Sequence, residues 1–196
     1  MKKTSPTAFE LQAVRCYENN EPLIALDAIL VRKTVADKLA NIRRKLTPHL
    51  QLLIVDGYRS PLYQERYYLK QLLIEHEKYP ALDLQELIEH VHRLVALPSV
   101  AGHPTGGAVD VTLAYEGQKM DMGGEIADFS NPEQIPTYST FISAEQAKRR
   151  ILLHDLMTAE GFAPFYGEWW HFSYGDREWA AFYDKTETLY SPVFLH

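Results

Sequence analysis

The sequence is short of several things, and each absence narrows what the protein can be. It has a single cysteine, Cys16, in 196 residues. No internal disulfide framework is available, and a reducing, cytoplasmic compartment suits it. It has no basic excess: 20 Lys and Arg stand against 26 Asp and Glu, a formal charge of −6. Proteins that grip nucleic-acid phosphates usually carry the opposite balance, so no nucleic-acid partner is expected. No apolar stretch reaches the ~20 residues of a membrane span, so no membrane partner is expected either. The opening MKKTSPTAFELQAVRCY lacks the apolar run of a secretion signal. No repeat, low-complexity tract or Pro/Gly-rich linker divides the chain, so residues 1–196 read as a single domain. Core material is what the chain does have. Apolar residues make up 46% and charged residues 23%, which excludes a disordered chain.

Hydrophobic spacing predicts the elements. Val35, Leu39, Ile42 and Leu46 recur at helical intervals over 34–46. The run QLLIVD at 51–56, followed by Gly57, reads as a buried strand entering a turn. Helices are expected at about 61–77 and 83–96, the second opened by an Asp83/Glu86 capping box. After Gly106 and Gly107, AVDVTLAY reads as a strand whose Asp110, Thr112 and Ala114 share one face. Residues 116–142 carry Gly, Pro and Ser with little periodicity. A loop that long inside a compact domain is more often functional than idle. Ser143 with Gln146 opens a helix that Gly161 ends. A short strand at about 168–173 and a helix from Asp176 follow. Strands and helices do not alternate as regular βαβ units, so the expectation is an α+β fold, a small antiparallel sheet with packed helices.

Eight histidines are candidate ligands. His49, His76 and His196 read as packed or surface residues, and His154, mid-helix beside Asp155, as structural. His90 and His92, two apart on a helix, face different sides and make a poor joint site. Two segments stand apart: His103-Pro-Thr-Gly-Gly-Ala-Val-Asp110 and Glu168-Trp-Trp-His171. A catalytic zinc site takes three ligands from His, Asp and Glu and keeps a fourth position for water. His103, Asp110 and His171 would supply that set, the glycine pair letting a loop histidine and a strand aspartate converge. Zinc acidifies its water and polarises a carbonyl, but a carboxylate must still take the proton, and Glu168 is placed for that. The alternative for each of these residues is ordinary packing. For Trp169 and Trp170, core or pocket wall is the better reading. One geometric condition follows. Residues three apart on a regular strand point to opposite faces, so the Trp169-Trp170 step must bulge or turn if Glu168 and His171 are to meet one metal.

Taken in order, these motifs resemble the zinc D-Ala-D-Ala dipeptidase family, relatives of the vancomycin-resistance dipeptidase. The resemblance rests on GHPTGGAVDVTL and GEWWHF, with VDGYR at 55–59, MDMG at 120–123 and the helix from Ser143, and it covers about residues 50–175. It implies that family's fold and one zinc per chain, held by His103, Asp110 and His171. It implies Glu168 as general base and Arg59 as the arginine that stabilises the developing oxyanion. The implied substrate is a small dipeptide ending in a D-amino acid, D-Ala-D-Ala first. Two departures bear on substrate recognition. The family serine two residues before the first ligand is Ala101 here, and the family's ammonium-binding aspartate after MDMG falls on Ala127. Asp128 or Glu125 is then expected to hold the substrate ammonium. Tyr58-Arg59-Ser60 with Gln64 resembles the related zinc D,D-carboxypeptidases, whereas Glu-Trp-Trp-His favours the dipeptidase branch. The alternatives are a D,D- or L,D-carboxypeptidase or endopeptidase acting on peptidoglycan stem peptides and, from another class, a non-catalytic zinc-binding module. An open coordination position and a spare carboxylate speak against the last.

Overall fold

The strand Ala108–Tyr115 is buried at seven of its eight residues, so both of its faces must be covered. The computed structural model, which describes residues 4–16 and 21–195, shows how. His196, with Met1–Lys3 and Tyr17 of the stretch read for a secretion signal, lies outside the described residues. In chain order the elements are α1 (Ala8–Ala13), β1 (Leu23–Leu26), β2 (Ile29–Arg32), α2 (Lys33–Lys45), β3 (Leu50–Asp56), α3 (Pro61–Lys78) and α4 (Leu84–His92). There follow β4 (Ala108–Tyr115), β5 (Gln118–Lys119), α5 (Ala144–Ala159), β6 (Ala163–Pro164), β7 (His171–Ser173) and α6 (Arg177–Phe182). One antiparallel sheet has the order β3-β4-β7-β6, with β5 pairing the end of β4; β1 and β2 form a separate hairpin. This is the α+β arrangement expected.

Alternation along β4 divides the molecule. Val109, Val111 and Leu113 enter the main core with Val35, Leu39 and Ile42 of α2 and Leu153 and Met157 of α5. Asp110 and Thr112, one step out of phase, point to the opposite face. A second cluster, built from Tyr68 of α3 with Leu87 and Val91 of α4, meets the first at Phe129. Capping boxes start α4 at Asp83 and α5 at Ser143, as the sequence predicts. Four expectations change. The strand read as buried at 51–56 is an edge strand, buried only at Leu52 and exposed at Gln51, Leu53 and Val55. The helix expected to reach residue 96 stops at His92, where His92 Nδ1 accepts from Leu97 N at 3.1 Å. Leu97 precedes Pro98, and a residue in that position is disfavoured in the α region. The strand expected from 168 begins only at His171, and the 116–142 loop contains β5 and a short 3₁₀ turn at Pro132–Gln134.

Candidate metal centre

Strand register does most of the assembly. Asp110 stands directly opposite His171 across β4 and β7, and Asp56 opposite Asp110 across β3 and β4, after a register shift between Ile54 and Asp56. Directly opposed residues carry their Cβ atoms ~5 Å apart, close enough for short side chains to meet. His103 arrives from the 3₁₀ turn His103–Thr105 just before β4. That turn closes on Gly106 with φ +73°, a conformation that disfavours side chains. A Cβ on Gly107 would lie 2.4 Å from the Tyr174 carbonyl oxygen, so the chain can pass there only without one. The buried Arg32 braces the turn, donating to Thr105 O at 2.6 Å and Ser191 O at 3.0 Å.

Asp110 Oδ1 lies 3.1 Å from His171 Nδ1 and 3.5 Å from His103 Nε2. One ligand atom from each of the three buried residues lies within 4.8 Å of the others. Two donors in a tetrahedral zinc shell at ~2.0–2.1 Å are ~3.3–3.4 Å apart, so both spacings and the donor types fit that ion. His103 Nδ1 is 2.6 Å from the Gly57 carbonyl oxygen, which leaves Nε2 for the centre. Burial by itself would raise the Asp110 carboxyl, but the charge and hydrogen bonding of the two imidazoles outweigh it and hold that group well below the usual carboxylate range. His171 moves the other way. Burial works against its charged form, yet Asp110 and Glu178 hold it well above the ordinary imidazole value.

The turn required between the two tryptophans is present. Glu168 N donates to Phe165 O at 3.1 Å, and His171 N to Glu168 O at 3.4 Å, so successive turns carry Glu168 and His171 to the wall of one pocket. Trp169 and Trp170 are buried core residues, also as expected. Glu168 keeps some surface open to the pocket, but the enclosing protein pushes its carboxyl up to about 8, with His171 opposing the rise. Arg59 lines the same pocket. Its Nη2 donates to Asp56 Oδ2 at 2.6 Å and its Nη1 to Gln64 Oε1 at 3.0 Å, and the guanidinium stacks over Tyr67 at 5.0 Å. Burial opposes its charge, but Asp56 more than compensates, so Arg59 stays protonated.

The expected ammonium ligands are placed elsewhere. Asp128 is exposed and accepts from Ser130 N at 2.9 Å, while Glu125 is exposed and pairs with Lys119. Both border a smaller depression beside Trp169 and Trp170, outside the pocket that holds the histidines. The loop turns at Ala127, which has φ +59°, and it is Ala127 and Phe129 that face the pocket. Tyr67, Leu94, Val95 and Phe165 extend this apolar wall. Two functional neighbours escaped the sequence reading. Arg32 looks like any strand-end cation, and Glu178 sits outside every motif, seven residues after His171.

Comparison with known proteins decides the family. The peptidase M15 family, described as D-Ala-D-Ala dipeptidase, matches residues 22–190. The chain belongs to the D-Ala-D-Ala dipeptidase family. It is therefore a peptidase, a hydrolase. A D-alanyl-D-alanine dipeptidase of Synechocystis is 30% identical over 193 residues, covering 86% of this chain and 76% of the relative. The Enterococcus faecium D-alanyl-D-alanine dipeptidase is 30% identical over 128 residues, covering 62% of this chain and 60% of the relative. Among solved structures, the vancomycin-resistance D,D-pentapeptidase VanY in complex with Zn(II) superposes with a TM-score of 0.51 at 16% identity, over 87% of this chain and 88% of that one. VanYB in complex with D-alanine–D-alanine gives 0.53 at 16% identity, over 88% and 90%. These structural matches establish the shared fold of the dipeptidase-family chain.

Proposed function

We propose that this chain is a zinc-dependent D-Ala-D-Ala dipeptidase in which His103, Asp110 and His171 hold the metal, Glu168 is the general base and Arg59 the oxyanion-stabilising cation. The observation that carries this reading is the convergence of three buried ligand atoms at a pocket that Glu168 and Arg59 also line. When bound, zinc supplies Lewis-acid polarisation of the scissile carbonyl and a more acidic water. Glu168 takes the proton of the attacking water and returns it to the leaving amine, a task that favours a carboxyl whose pKa lies near the working pH. Arg59, fixed by Asp56 and Gln64, meets the negative charge that develops on the carbonyl oxygen without having to reorganise. Three protein ligands leave room for water, the pattern of a catalytic rather than a structural zinc.

Membership of the dipeptidase family supports a free dipeptide as the substrate, and the loop that bears Ala127 and Phe129 forms one wall of the pocket that would hold it. A second reading, a carboxypeptidase for longer D-Ala-D-Ala peptides, draws on the apolar Ala127 at the wall where an ammonium-binding carboxylate is expected. Release of D-alanine from D-Ala-D-Ala and from its N-acetylated form separates the two. Faster cleavage of the free dipeptide, abolished by a chelator, is expected; faster cleavage of the acetylated peptide moves the chain to the carboxypeptidase reading. We take residues 1–196 as one catalytic unit working in the cytoplasm on cell-wall-derived peptides. The family match across 22–190 supports the single unit, and the lone Cys16 suits a reducing compartment. Among the described residues, no helix is long and apolar enough to cross a membrane.

A further inference from the structure

Glu178 is a buried carboxylate that the mechanism above does not use. It lies in the first turn of α6, 8% exposed, and borders the pocket. Its Oε2 is 3.4 Å from His171 Nε2, the one ion pair Glu178 makes among the described residues, while its Oε1 is buried with no hydrogen-bond partner. An anion enclosed this way is costly unless a positive centre faces it, and among the described residues neither Lys nor Arg pairs with it. Its position is held firmly. Asp176 caps α6 by accepting from Trp179 N at 2.9 Å, and Trp179 Nε1 donates to Gly161 O at 3.1 Å. Arg177 Nη1 ties the helix to the α1 segment through Leu11 O at 2.9 Å and Val14 O at 2.7 Å.

We propose that Glu178 is a positioning residue for the metal, holding His171 with its proton on Nε2 so that the Nδ1 lone pair faces Asp110 Oδ1 and the ion. The inference rests on the zinc-site reading above. The geometry is consistent on both sides of the centre. His103 presents Nε2 because its Nδ1 is tied to the Gly57 carbonyl, and His171 presents Nδ1 because its Nε2 faces a carboxylate. Outer partners of this kind fix tautomer and ring orientation and make the ligand more basic. The two imidazoles stand edge to face with centroids 4.9 Å apart, so the orientation of one bears on the other.

The test measures zinc affinity by competition with a chromogenic chelator in the wild type, Glu178→Gln and Glu178→Ala, and records the visible spectra of the cobalt(II) forms. Wild type should bind tightest, Glu178→Gln less tightly, and Glu178→Ala about 10–100-fold more weakly than wild type, with an altered cobalt spectrum. Unchanged affinity and spectrum in Glu178→Ala would overturn the proposal, even if the metal-free protein melted lower, because that result assigns Glu178 to helix stability alone. Should Glu178→Ala fail to fold, Glu178→Gln decides: a loss of about threefold or more supports the role and wild-type affinity overturns it. A wild-type chain that takes up no zinc would instead sink the metal reading itself, which keeps the two failures distinct.

Discussion

Glu168 holds its proton to about 8 in the folded chain, against 4.5 for an ordinary glutamate. The folded state therefore keeps a proton that the unfolded chain gives up. That contribution to stability is complete below about pH 4.5 and is lost as the pH rises through about 8. The metal-free protein should accordingly melt lower at pH 8.5 than at pH 6, and Glu168→Gln, which has no proton to lose, should weaken that dependence in a thermal scan, leaving the part that His171 contributes. In the loaded enzyme the same substitution should leave zinc content unchanged and cut turnover by ~10²–10⁴. Loss of zinc instead would make Glu168 a ligand. Arg59→Ala should lower kcat by ~10²–10³ through lost oxyanion stabilisation, read by steady-state kinetics on D-Ala-D-Ala.

Elements differ in how openly their sequences declare them. Helices α4 and α5 are announced by their capping boxes, and β4 by its alternation, because those signals are local and chemical. The β1–β2 hairpin went unread because its turn residues, Asp27 and Ala28, adopt φ +51° and +68° without the Asn or Gly that normally marks such a turn. The convergence of His103, Asp110 and His171 was legible as spacing, whereas the failure of Asp128 and Glu125 to reach the pocket was not. The left-handed kink at Ala127 and the Asp128–Ser130 turn decide it, and neither has a periodic signature. The loop's hold on the molecule is equally hidden, residing in Arg150 of α5. This fully buried side chain donates to the carbonyls of Met122 at 2.6 Å, Gln134 at 2.7 Å and Pro136 at 2.9 Å. Arg150→Met should therefore destabilise the fold by ~2 kcal/mol or more in urea titration. It should raise KM more than it lowers kcat, since the wall that carries Ala127 and Phe129 loosens while Glu168 keeps its place.

At the scale of the whole molecule, the face of the sheet opposite the main core gathers an excess of negative charge. Asp56, Asp110 and Glu178, joined by Glu168 as it ionises near pH 8, surround two histidines and one arginine. A divalent cation answers that imbalance, so chelation should lower the melting temperature and added zinc restore it, by ~2.7 kcal/mol at a hundredfold excess over Kd. The effect should be larger at pH 8 than at pH 6, where Glu168 is already neutral; differential scanning calorimetry with and without chelator checks both points.

The opposition of Asp110 to His171 also limits how such a protein can diverge. Side chains on a strand alternate, so a single residue inserted or deleted in β4 would bring Val109 or Val111 to the centre and turn the aspartate into the core. Exchange among apolar residues of similar size leaves that alternation in place; a change of length before Asp110 does not, unless a bulge absorbs it. Descendants of this chain can lengthen, shorten or rewrite the 116–142 loop and so explore new substrates. The count of residues that joins the glycine pair to the aspartate has to be inherited unaltered.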